Sequence, residues 1–226
     1  MNRSKSLGVA LTTVLIGGGA LAVAGFALAS GTPHQAPLYC KASTTQPHTC
    51  SINISTFPDS LEGVHGANGG PHPDWVTYSN DNIVVPAYST IDVTIDQYDT
   101  GGAANNPFFD RVWGTIGGYA TINGVVTRKI GANDVGHTFT LHAIPGNGKY
   151  LFVSVPLPYN HGTKYPVKLG LGAYPKPVVV KFSFKVGGPT VYEWNCEFPC
   201  GGSREGYGFG YAMGTFGYMS GTLTVD

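Results

Sequence analysis

Beyond residue 30 no stretch of this chain sustains the apolar repeat of about 3.6 residues that an amphipathic helix needs. Period-two runs stand in its place. Thr90-Ile91-Asp92-Val93-Thr94-Ile95-Asp96 alternates apolar and polar side chains, the pattern of a strand with one buried face. The 226 residues include 33 glycines and 16 prolines, about twice the combined usage of roughly 12% in ordinary proteins. Both residues are poor in helix interiors and frequent in turns between strands. Only 12% of residues are charged and the formal net charge is zero, which excludes a binder that tracks nucleic-acid phosphates. With 42% hydrophobic and 12% aromatic residues, the chain can bury enough surface to escape disorder. An all-β sandwich or barrel is expected.

The first thirty residues stand apart. Arg3 and Lys5 precede an uncharged apolar run from Leu7 to Ala29, ending in the small-residue stretch Ala27-Leu28-Ala29. A basic start, an apolar core and a small-residue end form a secretory signal, yet the run is also long enough to span a bilayer as an anchor. Cleaved signal and retained membrane anchor both remain open, and both export the rest of the chain. Because Arg3 and Lys5 are the only charges in this segment, the exported part keeps a small negative balance that selects no partner.

Three parts are expected: 1–30 as signal or anchor, 31–73 as a loop-rich segment holding one strand at Ser51–Ser55, and 74–226 as the main domain. Strands are expected near Asn82–Pro86, Thr90–Asp96, Gly118–Thr127, His137–Ile144, Lys149–Val155, Pro177–Val186, Thr190–Cys196 and Gly221–Val225. Seven or eight short strands with turn signals between them suit a Greek-key sandwich or barrel. Four cysteines, Cys40, Cys50, Cys196 and Cys200, in an oxidising location imply disulfides. Of the possible pairings the local one, Cys40–Cys50 with Cys196–Cys200, is the simplest.

His34, His48, His65, His72 and His161 fall in loops and turns, where solvated side chains are expected. His137 differs: alternation places it on one strand face with Phe139 and Leu141, with Thr138, Thr140 and His142 on the other. Buried there, its nitrogens need a hydrogen bond or a metal. Asp134, three residues upstream, could orient the imidazole or cap a turn. Later in the chain a strand ends at Cys196, Cys200 follows, and Met219 precedes the last strand. A histidine, a cysteine and a methionine in this order on successive strands make the ligand order of a copper site. No Gly-x-Ser-x-Gly, phosphate-loop, zinc-hydrolase or paired-carboxylate motif points to an enzyme.

These residues resemble the cupredoxin family, in particular the exported rusticyanin- and sulfocyanin-type blue copper proteins and the periplasmic domain of cytochrome oxidase subunit II. The resemblance spans roughly Ile83 to Asp226. Val85-Pro86-Ala87-Tyr88 is similar to the family's Pro-Ala-Gly turn, with Tyr88 in place of the glycine. Gly136-His137-Thr138-Phe139 is similar to the first-ligand segment, Val180–Cys196 to the strand pair leading to the copper cysteine, and Met219 with Gly221–Val225 to the axial-ligand strand. The resemblance implies a cupredoxin-like Greek-key β-sandwich, copper as cofactor, a redox partner protein, and ligation by His137, Cys196, Cys200 and Met219. The ligand set is incomplete. A blue-copper loop would carry histidine where this chain has Gly201. The binuclear pattern, whose two cysteines match the Cys196–Cys200 spacing, would carry histidine and methionine at Arg204 and Tyr207.

Three readings follow. One is a modified copper centre of His137, Cys196, Cys200 and Met219 or Met213, with His142 or His161 reaching in. A second is a redox-silent fold closed by a Cys196–Cys200 disulfide. The third is a metal-free binding module using the segment Gly201–Gly221, which packs eight glycines and five aromatics.

Overall fold

The computed structural model describes residues 36–66, 69–101, 105–146, 148–162, 167–170, 172–200 and 210–226. The signal or anchor segment, His34, and the aromatics Tyr207 and Phe209 lie outside these residues. In chain order the strands are β1 (Leu38–Tyr39), β2 (Lys41–Ala42), β3 (Thr49–Phe57), β4 (Thr77–Tyr78), β5 (Asn82–Val85), β6 (Thr90–Gln97), β7 (Ala120–Ile122) and β8 (Val125–Thr127). They continue with β9 (Val135–Ala143), β10 (Phe152–Pro158), β11 (Val167–Leu169), β12 (Gly172–Tyr174), β13 (Val178–Lys185), β14 (Thr190–Asn195) and β15 (Ser220–Val225).

One sheet runs β1-β5-β15-β14-β9-β10, the other β2-β3-β6-β13-β7-β8 with β4 beside β3, and β11 and β12 form a separate hairpin. Both sheets are mixed: β1/β5, β5/β15 and β3/β6 are parallel, and the other pairs are antiparallel. The architecture is an all-β sandwich of two mixed sheets. Residues 35–226 make one compact unit. The loop-rich segment belongs to it, because β3 pairs with β6 from Thr49↔Thr90 to Thr56↔Gln97.

Alternation explains the core. In β6, Ile91, Val93 and Ile95 point inward while the intervening polar residues stay half-exposed. Val180, Phe182 and Phe184 of β13 do the same. From the opposite sheet, Phe139 of β9 lies 5.6 Å from the Phe182 ring and stacks at 5.5 Å on Trp194 of β14. Tyr78 meets Trp194 edge-on at 4.8 Å, a favourable aromatic geometry. Truncating a buried Phe or Trp of this kind costs about 3–5 kcal/mol, so this layer fixes β9 and β14 against each other.

Cys40, where the chain passes from β1 in one sheet to β2 in the other, is joined to Cys50 of β3 by a disulfide. Cys196 and Cys200 are free thiols, which corrects the expected second disulfide. Their neighbours favour a thiolate at Cys196 and a retained proton at Cys200.

Candidate metal centre

Along β14 the core-facing row is Tyr192 and Trp194, and Cys196, the first residue past the strand, continues it. The β14/β15 register pairs Asn195 with Ser220. One step further, the Cys196 amide donates to the Met219 carbonyl at 2.9 Å. Cys196 and Met219 are therefore cross-strand neighbours, and both are fully buried. His137 enters from β9, on the face of Phe139 and Leu141 as alternation requires. Cys200 follows the turn through Pro199, with its carbonyl fixed by the Ala212 amide at 3.1 Å.

One ligand atom each from His137, Cys196 and Cys200 lies within 4.8 Å of the others. Relative exposures are 3%, 0% and 8%. Nδ1 of His137 is 3.7 Å from Sγ of Cys196, and Nε2 is 2.6 Å from Oδ2 of Asp99. The amides of Thr138 and Phe198 each donate to Sγ of Cys196 at 3.4 Å. Glu197, inside the turn, donates its amide to Oγ1 of Thr138 at 2.8 Å, which ties the cysteine segment to β9.

The electrostatics follow from these contacts. Burial alone would lower the His137 pKa, but its hydrogen bonds to Asp99 and Cys196 outweigh burial and raise it to about 10. Burial likewise opposes the Cys196 thiolate, yet hydrogen bonds from Cys200, His137 and the Thr138 amide hold its pKa well below the ordinary thiol range. Cys200, as the thiol donor to Cys196 and itself buried, is pushed up. Asp99 is lowered despite its burial by His137 and by the amides of Gly101 and Thr100. These shifts favour an imidazolium between a thiolate and a carboxylate, with the proton kept on Cys200. That donor set, two sulfurs and one imidazole nitrogen, fits a soft ion such as Cu(I).

His142 and His161 do not join it. His142 lies on the opposite face of β9 and meets Oδ1 of Asn195 at 3.0 Å through Nε2, while His161 is exposed and packs on Tyr159. Met213 is half-buried beside Gly210. Asp134 is exposed, and the imidazole is oriented by Asp99 instead. Asp99 lies two residues beyond the end of β6, and no motif distinguished it from Asp92 or Asp96. His65 and His72, expected in solvent, pack into an aromatic cluster: His72 stacks on Trp75 at 3.8 Å and His65 lies 4.3 Å from Tyr218.

Two packed sheets thus bring a histidine from one strand to a cysteine just past the end of another, and the residue across the ladder from that cysteine is a methionine just before the closing strand. Comparison with solved structures returns cupredoxins. Auracyanin B aligns with a TM-score of 0.31 at 14% identity over 82% of this chain and 94% of its own. A copper protein, rusticyanin, aligns with a TM-score of 0.34 at 13% identity over 82% of this chain and 88% of its own. A laccase from Pediococcus acidilactici aligns with a TM-score of 0.34 at 12% identity over 86% of this chain but 30% of its own. No protein-family model matches the sequence, and no curated protein sequence matches it.

Proposed function

We propose that this chain is an exported copper protein that serves in extracytoplasmic copper handling or electron transfer, with a modified cupredoxin site and no enzymatic activity of its own. The observation that carries this is the buried cluster of His137, Cys196 and Cys200 within 4.8 Å. His137 would supply one imidazole and Cys196 and Cys200 two thiolates. Met219, across the ladder from Cys196, would be the thioether. No histidine follows His161 in the sequence, so the second imidazole of a blue-copper centre is replaced by the second sulfur. That exchange favours the cuprous state, since sulfur donors select Cu(I). Bound copper supplies a one-electron couple. The protein holds the donors in place so that little rearranges when the charge changes. A redox partner protein is the expected recipient, and the apolar amino-terminal segment would deliver the domain across, or tether it to, a membrane.

Anaerobic titration with Cu(I) against a chromophoric chelator is the direct test, run beside a thiol count on unfolded protein without reductant. One tightly held copper per chain and two thiols are expected, with X-ray absorption showing sulfur in the first coordination sphere. A protein with two thiols that takes up no stoichiometric copper refutes the assignment, and so does one with no free thiols.

A further inference from the structure

We propose that Asp99 is the positioning residue of the centre, fixing the imidazole of His137 so that Nδ1 is the nitrogen offered to the metal. The inference rests on the copper reading above and adds a residue and a role to it. An imidazole can ligate through either nitrogen, and which one does is set by the hydrogen bond that the other makes. Here Nε2 lies 2.6 Å from Oδ2 of Asp99. An ionised carboxylate only accepts hydrogen bonds, so Nε2 keeps its proton and Nδ1, facing Cys196 at 3.7 Å, is left for ligation.

The carboxylate is itself held. The amides of Thr100 and Gly101 donate to it. The Asp99 amide donates to Oε1 of Gln97 at 3.1 Å, and its carbonyl accepts from the Asn160 amide at 2.9 Å. Gly101 lies so close that a Cβ there would come within 2.9 Å of Oδ2. Asp99 follows β6 in one sheet and His137 sits on β9 in the other, so the bond also sets the imidazole relative to both sheets. A residue only 7% exposed, its carboxylate held by two amides and aimed at one imidazole nitrogen, is a preformed orienting group.

The test compares wild type with Asp99→Ala and Asp99→Asn. Asparagine keeps an acceptor oxygen without the charge, and alanine removes both. Outer-shell partners of ligating histidines typically contribute ~10–100-fold to metal affinity. Cu(I) affinity is expected to fall by that factor in Asp99→Ala and to recover largely in Asp99→Asn. Proton–nitrogen NMR of the diamagnetic Cu(I) form should show a far-downfield Nε2 proton on His137 in wild type and Asp99→Asn, lost in Asp99→Ala. The copper potential should rise in Asp99→Asn as the negative charge is removed. Thermal melts of the metal-free variants establish that each is folded. Asp99→Ala binding with wild-type affinity and an unchanged His137 signal overturns the role of Asp99 while leaving the copper site standing. A wild-type protein that shows the Nε2 proton without copper, yet takes up none, overturns the copper reading instead.

Discussion

The two cysteine pairs of this chain meet opposite fates within one fold. Cys40 and Cys50 are joined where the chain changes sheets, with Cys50 in the apolar core and Cys40 packed against it. Cys196 and Cys200 stay reduced in a pocket that supplies an imidazole, two amides and, behind the imidazole, a carboxylate. Proximity is common to both pairs. What differs is the outcome: the first pair is a covalent staple, and the second is a thiolate and a thiol held among polar partners.

The pH dependence of stability sharpens that contrast most. In the metal-free, reduced protein His137 is protonated up to about pH 10, whereas an unfolded histidine loses its proton near 6.5. Its contribution is therefore complete below pH 6.5 and is lost as pH rises toward 10. Cys196 runs the other way: a thiolate in the fold, a thiol in the unfolded chain until about pH 9.0. Its contribution is complete above that pH and is lost as pH falls through its lowered folded value. Above the lowered Cys196 value and below pH 9 the two proton counts cancel, so the pair leaves stability flat there. Above pH 9 stability falls, because His137 and the raised Cys200 keep protons that the unfolded chain has shed. In Cys196→Ser the cancellation is gone, and stability should decline as pH rises above 6.5, by up to about 1.4 kcal/mol per pH unit, for as far as Asp99 alone keeps His137 raised. Urea unfolding at several pH values checks this. A flat Cys196→Ser profile would mean that Asp99 without Cys196 does not hold His137 protonated.

Breaking the other pair should act on stability alone. Cys40 and Cys50 close a loop of separation 10. By the chain-entropy relation, opening such a loop costs about 3 kcal/mol. The double variant Cys40→Ser/Cys50→Ser should lose that much in chemical unfolding, at every pH, while Cu(I) affinity stays at the wild-type value. An accompanying loss of copper would show that the staple and the site are not independent.

The sequence carried the sandwich further than it carried the site. The long alternating runs became β6, β9, β13 and β14 to within a few residues, because each has one face in the core and period two is the imprint of that. The Gly118–Thr127 run folds as the β7/β8 hairpin around Asn123 and Gly124, where φ is positive. β1, β2 and β4 are two residues each, too short to leave a period. At the centre, His137 and Cys196 were legible because they extend apolar rows on known strands. Asp99 was not: it follows the end of an alternating strand, and only the packing of the two sheets brings it to His137. The fate of Cys196 and Cys200 was hidden for the same reason, since spacing does not say what stands opposite a thiol.

Tyr88 gives the smallest expected effect, and it tests the stapled half of the molecule without touching a cysteine. The backbone there takes a conformation that a glycine would favour, with φ at 56°. The Tyr88 amide donates to the Gly187 carbonyl at 2.8 Å, which explains why the turn does not relax. The side chain is 73% exposed, so truncation forfeits little packing. A non-glycine residue in the left-handed region costs roughly 1–2 kcal/mol, partly offset by about 0.5–1 kcal/mol of extra unfolded-state freedom when glycine is introduced. Tyr88→Gly should therefore stabilise the protein by up to about 1 kcal/mol in chemical unfolding, with copper affinity unchanged. A destabilised variant would show that the exposed ring, which lies against Gly188, contributes more than the backbone gives up.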